Sequence, residues 1–132
     1  MKLLLGTHAL IWFVAGARPT GFSSEALEAI YAADNEVWVS AVSYWEVVVK
    51  ARTGKLDAKV EDAVAGAAAA GFGTLGVETN HLVRLAGLPV HADHKDPFDH
   101  LLIAQAIAEG GTFVSQDRNA PRYPVALMHR RG

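Results

Sequence analysis

Glu46, Asp99 and Asp117 are the residues of this chain whose types and placing could do chemistry together. Asp99 stands in the opening turn of a helix announced by Asp96-Pro97-Phe98. Asp117 follows the short β-prone run Thr112-Phe113-Val114-Ser115. Glu46 lies in a helix directly after the apolar run Glu36-Val37-Trp38-Val39-Ser40. In an open parallel sheet, strand C-termini and helix N-termini meet along one edge, where ligands bind. Two carboxylates about 4 Å apart there repel by roughly 4 kcal/mol at an effective dielectric near 20. Such a cluster either holds protons or binds a cation. Oxygen ligands with open positions suit Mg²⁺ or Mn²⁺, and an ion held this way can orient and activate water for attack on a phosphodiester.

Taken singly, each acid has a simpler reading. Glu46 could be a solvated helical glutamate, since Glu is almost never fully buried unless paired. Asp99 could do no more than complement the helix dipole, and Asp-Arg-Asn from Asp117 is good turn chemistry. Asp96 is read as a structural N-cap, because an aspartate followed by proline at the first helical position is explained by capping alone. His91, His94 and His100 are close in sequence, but the loop carrying them is irregular and no further zinc ligand is evident. No Gly-rich phosphate loop and no nucleophile elbow is present.

The elements that must position these acids follow from periodicity and punctuation. Lys2 to Leu5 reads as a first buried strand, ending at Gly6-Thr7-His8, with a short helix over Ala9 to Ala15. Arg18-Pro19-Thr20-Gly21 reads as a loop. Ser23 caps a helix to Ala33, with Phe22 and Leu27 placed as a hydrophobic staple. After the Asp34-Asn35 turn, Glu36 to Ser40 is the second strand. Ser43 is read as the cap of a helix through Arg52, and Asp57 as the start of an alanine-rich helix to Ala70. Phe72 to Val77 is a third strand weakened by Gly73 and Gly76. Thr79 caps a helix through Ala86. The helix after Asp96 carries Leu102, Ile103, Ala106 and Ile107 on one stripe, and Gly110-Gly111 supplies its left-handed exit. A strand at Thr112 to Ser115 and a last one near Val125 to Met128 complete the series. Strands separated by helices predict an α/β sheet, mostly parallel, with helices on both faces.

The chain has 132 residues, no cysteine and a net charge of −2. That length reads as one domain over residues 1–132 with a sizeable core. Disulfides and thiolate metal sites are excluded, in keeping with a cytoplasmic protein. No apolar run reaches membrane-spanning length, and the run from Met1 to Gly6 is too short for a secretory signal. The charge gives no global pull towards nucleic acid.

Several stretches together resemble one known family. Leu3-Leu4-Leu5-Gly6-Thr7-His8-Ala9-Leu10-Ile11-Trp12, Ser40-Ala41-Val42-Ser43-Tyr44-Trp45-Glu46, Gly54-Lys55-Leu56 and His94 through Ala106 are similar to PIN-domain ribonuclease toxins of the VapC type. The Asp-Pro-Phe-Asp-x-Leu-Leu-Ile-Ala-Gln-Ala segment is the most specific of them. The resemblance implies a three-layer α/β/α PIN-like fold and a Mg²⁺- or Mn²⁺-dependent endoribonuclease that hydrolyses RNA. It also implies a VapB-like antitoxin partner and a homodimer. By motif, Glu46, Asp99 and Asp117 match the family's second, third and fourth acidic positions. The first is an aspartate at the end of the first strand, where this chain has Gly6. Two functions follow: a toxin ribonuclease impaired by Gly6, or an inactive PIN module that keeps antitoxin binding and dimerisation. A phosphatase would need an aspartyl nucleophile at position 6. RNA phosphates approaching a mildly acidic protein would need local cations, and Lys50, Arg52, Lys55, Arg118 and Arg122 are the candidates.

Overall fold

The computed structural model describes residues 1–14 and 23–128. The loop read at Arg18 to Gly21 and the Phe22 side of the staple lie outside those residues. The elements run β1 (Lys2–Leu5), α1 (Thr7–Val14), α2 (Ser24–Tyr31), β2 (Glu36–Ser40), α3 (Ala41–Arg52) and α4 (Val60–Ala69). They continue with β3 (Gly73–Leu75), α5 (Thr79–Ala86), α6 (Pro97–Ala108), β4 (Thr112–Val114) and β5 (Ala126–Met128). A 3₁₀ turn at Ala120–Arg122 lies between the last two strands.

The strands form one sheet in the order β3-β2-β1-β4-β5, and every pairing is parallel. Successive side chains on a strand face opposite ways, so β1 serves two cores. Leu3 and Leu5 meet Val37, Val39, Leu10, Phe13 and Ile30 on one face, under α1 and α2. Leu4 and Phe113 meet Leu102, Ile103 and Ala106 of α6 on the other. Helix α5 packs on α6, while α3 touches α1, α4 and α6. The result is a three-layer α/β/α arrangement. Among the described residues, no helix is long and apolar enough to cross a membrane.

Several boundaries differ from the sequence reading. Ser40, not Ser43, caps α3: its hydroxyl accepts from the Val42 N–H at 3.0 Å. Ser43 lies inside the first turn and its hydroxyl accepts from Thr7 at 3.2 Å, tying α3 to the start of α1. Helix α4 begins at Val60, after Lys59 and with no side-chain cap, rather than at Asp57. Glu78 stands at the cap of α5, where Thr79 was expected. Gly110 alone takes the left-handed exit of α6, at φ 65°.

Candidate metal centre

The order of the strands fixes where the chemistry gathers. The central strand β1 ends beside β4, and the Gly6 N–H continues their ladder by donating to the Val114 carbonyl at 2.8 Å. The Gly6 carbonyl then accepts from Leu10 N–H at 3.0 Å, so α1 starts at once. Asp96 caps α6 by accepting from the Phe98 N–H at 2.9 Å. That cap sets Asp99 in the first helical turn, near the positive end of the dipole. Beyond β4, the Asp117 N–H donates to the Ser115 hydroxyl at 3.0 Å, and its carboxylate accepts from the Asn119 N–H at 2.8 Å. These local bonds aim the residue back over the sheet edge.

One cleft of about 440 Å³ collects Gly6, Glu46, Lys50, Asp96, Asp99 and Asp117 along its walls. Glu46 is only 2% exposed. Its Oε2 accepts from Lys50 Nζ at 2.5 Å, across one turn of α3, while its Oε1 is buried without a hydrogen-bond partner. Lys50 is held above its ordinary pKa chiefly by that bond. His94 approaches the same carboxylates, with Nε2 at 3.3 Å from Asp99 Oδ2. One ligand atom from each of His94, Asp99 and Asp117 lies within 4.8 Å of the other two.

Electrostatics in the cleft are those of an acid cluster short of positive charge. Burial pushes the Asp99 carboxyl up to about 8, and its hydrogen bond with Asp117 and the charges of Asp96, Asp117 and Glu46 add to the effect. Burial pushes Asp117 up as well. The bond from Asp99 and the Asn119 N–H outweigh it and hold Asp117 below the usual carboxylate range. At neutral pH the pair therefore shares a proton. Like charges this close cannot both ionise cheaply. A hard divalent cation relieves the same stress by replacing the proton, and oxygen donors suit it. Glu46 lines the same cleft, and its Oε1 is buried without a hydrogen-bond partner. Asp99 and Asp117, with His94 beside them, thus fit a divalent ion, while Glu46 lines the same cleft and position 6 brings hydrogen alone.

Of the cations considered for phosphate contact, Lys50 lines this cleft and is already paired with Glu46. Arg52, Lys55 and Arg118 are exposed outside its walls. Arg122 is committed to Asp93 at 2.9 Å and to Asn119 at 3.1 Å. The roles of His94 and Tyr123 around the carboxylates were not foreseen. The Glu46–Lys50 pair was readable in principle, from its i,i+4 spacing.

Glu78, His81 and Glu109 form another grouping of ligand type. Its imidazole is fully used. Nδ1 accepts from the Glu78 N–H at 3.0 Å, so Nε2 carries the proton and donates to Glu109 at 2.8 Å. This is a structural network around a buried imidazole.

A model of the PIN domain family matches residues 3–126 of the chain. No curated protein matches it at the level of sequence. The fold is similar to that of a chain in VapBC2 from Rickettsia felis bound to a DNA fragment from its promoter. There the TM-score is 0.74 at 17% identity, covering 98% of each chain. DNA-bound VapBC from Salmonella typhimurium gives a TM-score of 0.69 at 15% identity, again covering 98% of each chain. VapBC-5 from Mycobacterium tuberculosis, a member of the VapBC family of toxin-antitoxin systems, gives 0.62 at 20% identity, covering 99% of this chain and 98% of that one. At such identities the similarity speaks for the fold, and it is the family match across residues 3–126 that shows the chain to belong to the PIN domain family.

Proposed function

We propose that the chain, as one PIN-like domain over residues 1–132, is the toxin of a VapBC-type pair: a Mg²⁺- or Mn²⁺-dependent endoribonuclease impaired at position 6. The observation that carries this is the cleft in which Glu46, Asp99 and Asp117 converge at the ends of β1 and β4. Asp99 and Asp117 would hold the ion, with Glu46 beside them. When bound, such an ion supplies a Lewis acid and an activated water for phosphodiester hydrolysis. The chain's own part is positional. The Asp96 cap and the Asn119 turn hold the two aspartates at fixed places, and Lys50 offers a cation to a phosphate at the cleft wall.

The VapBC neighbours support a VapB-like antitoxin as partner. A groove lined by Ile11, Val14, Val47 and Leu56 together with Asp57, Lys59 and Asp62 offers a mixed, mainly apolar seat beside α3 and α4. Homodimerisation and a cytoplasmic location belong to the same reading. The second reading, an inactive PIN module, draws on two observations: Gly6 brings no carboxylate, and Lys50 already neutralises Glu46. The test is cleavage of a total RNA pool by antitoxin-free protein in Mn²⁺, beside Asp99→Asn and Gly6→Asp forms. Cleavage by the parent that Asp99→Asn abolishes supports the toxin reading. Cleavage by neither the parent nor Gly6→Asp leaves the inactive module.

A further inference from the structure

We propose that His94 is a positioning residue for the metal centre, donating from Nε2 to Asp99, with its tautomer set by the hydroxyl of Tyr123. The inference rests on the metal-centre reading above. His94 is 6% exposed and does not line the cleft, whereas Asp99 does. The imidazole therefore meets the carboxylate from its buried side. His94 Nε2 lies 3.3 Å from Asp99 Oδ2, and His94 Nδ1 lies 2.8 Å from the Tyr123 hydroxyl.

The direction of these bonds follows from donor and acceptor inventory. Asp99 gives its shared proton to Asp117 and loses it when a cation takes its place, so towards His94 its carboxyl only accepts. A bare nitrogen facing it would set two acceptors against each other, so Nε2 carries the hydrogen. In a neutral imidazole Nδ1 is then the acceptor, and it takes the Tyr123 hydrogen. The rest of the surroundings hold the ring in this pose. The His94 carbonyl accepts from His100 Nε2 at 2.8 Å, and the His94 N–H donates to the His91 carbonyl at 3.0 Å. The His100 ring stands edge-on to His94, with centroids 4.8 Å apart. Tyr123 is itself 4% exposed, anchored in the core beneath α6. The bond thus occupies Asp99 Oδ2 and fixes the plane of the carboxylate. Partners of this kind orient ligands and tune their basicity. In a centre with no carboxylate at position 6, fewer ligands share the task of holding the ion, and the orientation of Asp99 weighs more.

The test is isothermal titration of the full chain with Mn²⁺, with melting in EDTA to report folding. His94→Ala is expected to weaken Mn²⁺ binding by about 10- to 100-fold, the usual range for such partners. His94→Gln, whose amide N–H reaches the position of Nε2, should recover most of that loss. Tyr123→Phe keeps the ring and the core but removes the hydroxyl, and should fall between the two. A merely structural imidazole would not be rescued by Gln. Parent-like affinity in His94→Ala overturns the inference, as does His94→Gln binding no better than His94→Ala. If His94→Ala does not fold, Tyr123→Phe decides: parent-like affinity there overturns the relay. Nitrogen coupling to bound Mn²⁺ in pulsed EPR of the parent that disappears in His94→Gln would make His94 a ligand and also overturn it. A parent that binds no Mn²⁺ refutes the metal-centre reading, and this inference with it.

Discussion

Lys50 Nζ lies 2.5 Å from Glu46 Oε2, one turn away on α3, so the most buried carboxylate of the cleft is paired with the cleft's own ammonium. The pair compensates a charge that could not otherwise sit 2% exposed. It also leaves Oε1 buried without a partner.

Lys50→Gln should therefore act on stability before it acts on RNA. Removing one member of a buried pair leaves its partner's charge uncompensated, at about 3–5 kcal/mol in the fully buried case. The Lys50 side chain is 33% exposed, so screening reduces the loss; about 1–2 kcal/mol is expected. Added Mn²⁺ should return part of it, because the freed Glu46 becomes available to the ion. Melting with and without Mn²⁺ checks this. A variant that melts with the parent in EDTA would show the pair to be idle.

The Asp99–Asp117 pair predicts a pH dependence. Asp99 is raised from 3.8 to about 8 in the folded chain. Between those limits the folded state holds a proton that the unfolded state has released. Its contribution is whole below the unfolded pKa and is lost as pH rises through the folded one. Asp117 is depressed, so its contribution runs the other way, and only in acid. The metal-free protein should lose stability from about pH 4 to about pH 8, a slope that linkage ties to the extra bound proton. Asp99→Asn should flatten that slope. Mn²⁺ should oppose it, since affinity rises as the proton leaves. Melting curves across this range, in EDTA and in Mn²⁺, give both signs.

Much of this was legible because it is local. Strands β1 and β2 were bounded correctly by their apolar runs, and the Asp96 cap by its proline. The start of α3 was not, because Ser40 and Ser43 are both good caps and the choice is tertiary. Ser40 also donates to Gln105 from α6, and Ser43 is claimed by Thr7. Trp45 lies 55% exposed, edge-on to Phe98, and nothing in its local sequence marks it as a surface residue. In the cleft, the acids were found from their places at strand ends and helix starts. His94 was not, because its partner Tyr123 is 29 residues away and its loop has no period to read.

The His81 network carries a prediction about folding alone. His81→Leu would strand the Glu78 N–H and leave Glu109 with Lys2 at 3.8 Å. His81 is fully buried. An unsatisfied buried polar group costs about 1–3 kcal/mol, and the groups left behind are only part-buried, so a loss of about 1–2 kcal/mol is expected. Mn²⁺ affinity should not change, and denaturant melts beside titration calorimetry separate the two effects.

Gly6→Asp tests the family position directly, and the structure gives the price of the change. No positive φ is needed at position 6, so an L side chain is allowed there. A Cβ built on Gly6 would stand 3.1 Å from the Val114 carbonyl oxygen and 3.4 Å from Phe113 Cζ. The oxygen belongs to the backbone ladder and must yield by a few tenths of an ångström. Gly6→Ala carries that crowding without charge. It also gains the entropy of a stiffer unfolded chain, about 0.4–1 kcal/mol. It should stay within about 1 kcal/mol of the parent and bind Mn²⁺ no better. Gly6→Asp adds a carboxylate to a cluster that already retains a proton. Its metal-free form should lose about 1–2 kcal/mol relative to Gly6→Ala, by repulsion at short range. In Mn²⁺ the order should reverse. If outer partners are worth about 10- to 100-fold in affinity, a direct ligand is worth at least that. Calorimetric titration of the parent and both variants, followed by cleavage of an RNA pool, decides the matter. Equal Mn²⁺ affinity in Gly6→Asp and Gly6→Ala would show that position 6 does not reach the ion, and that Glu46, Asp99 and Asp117 must form the centre without it.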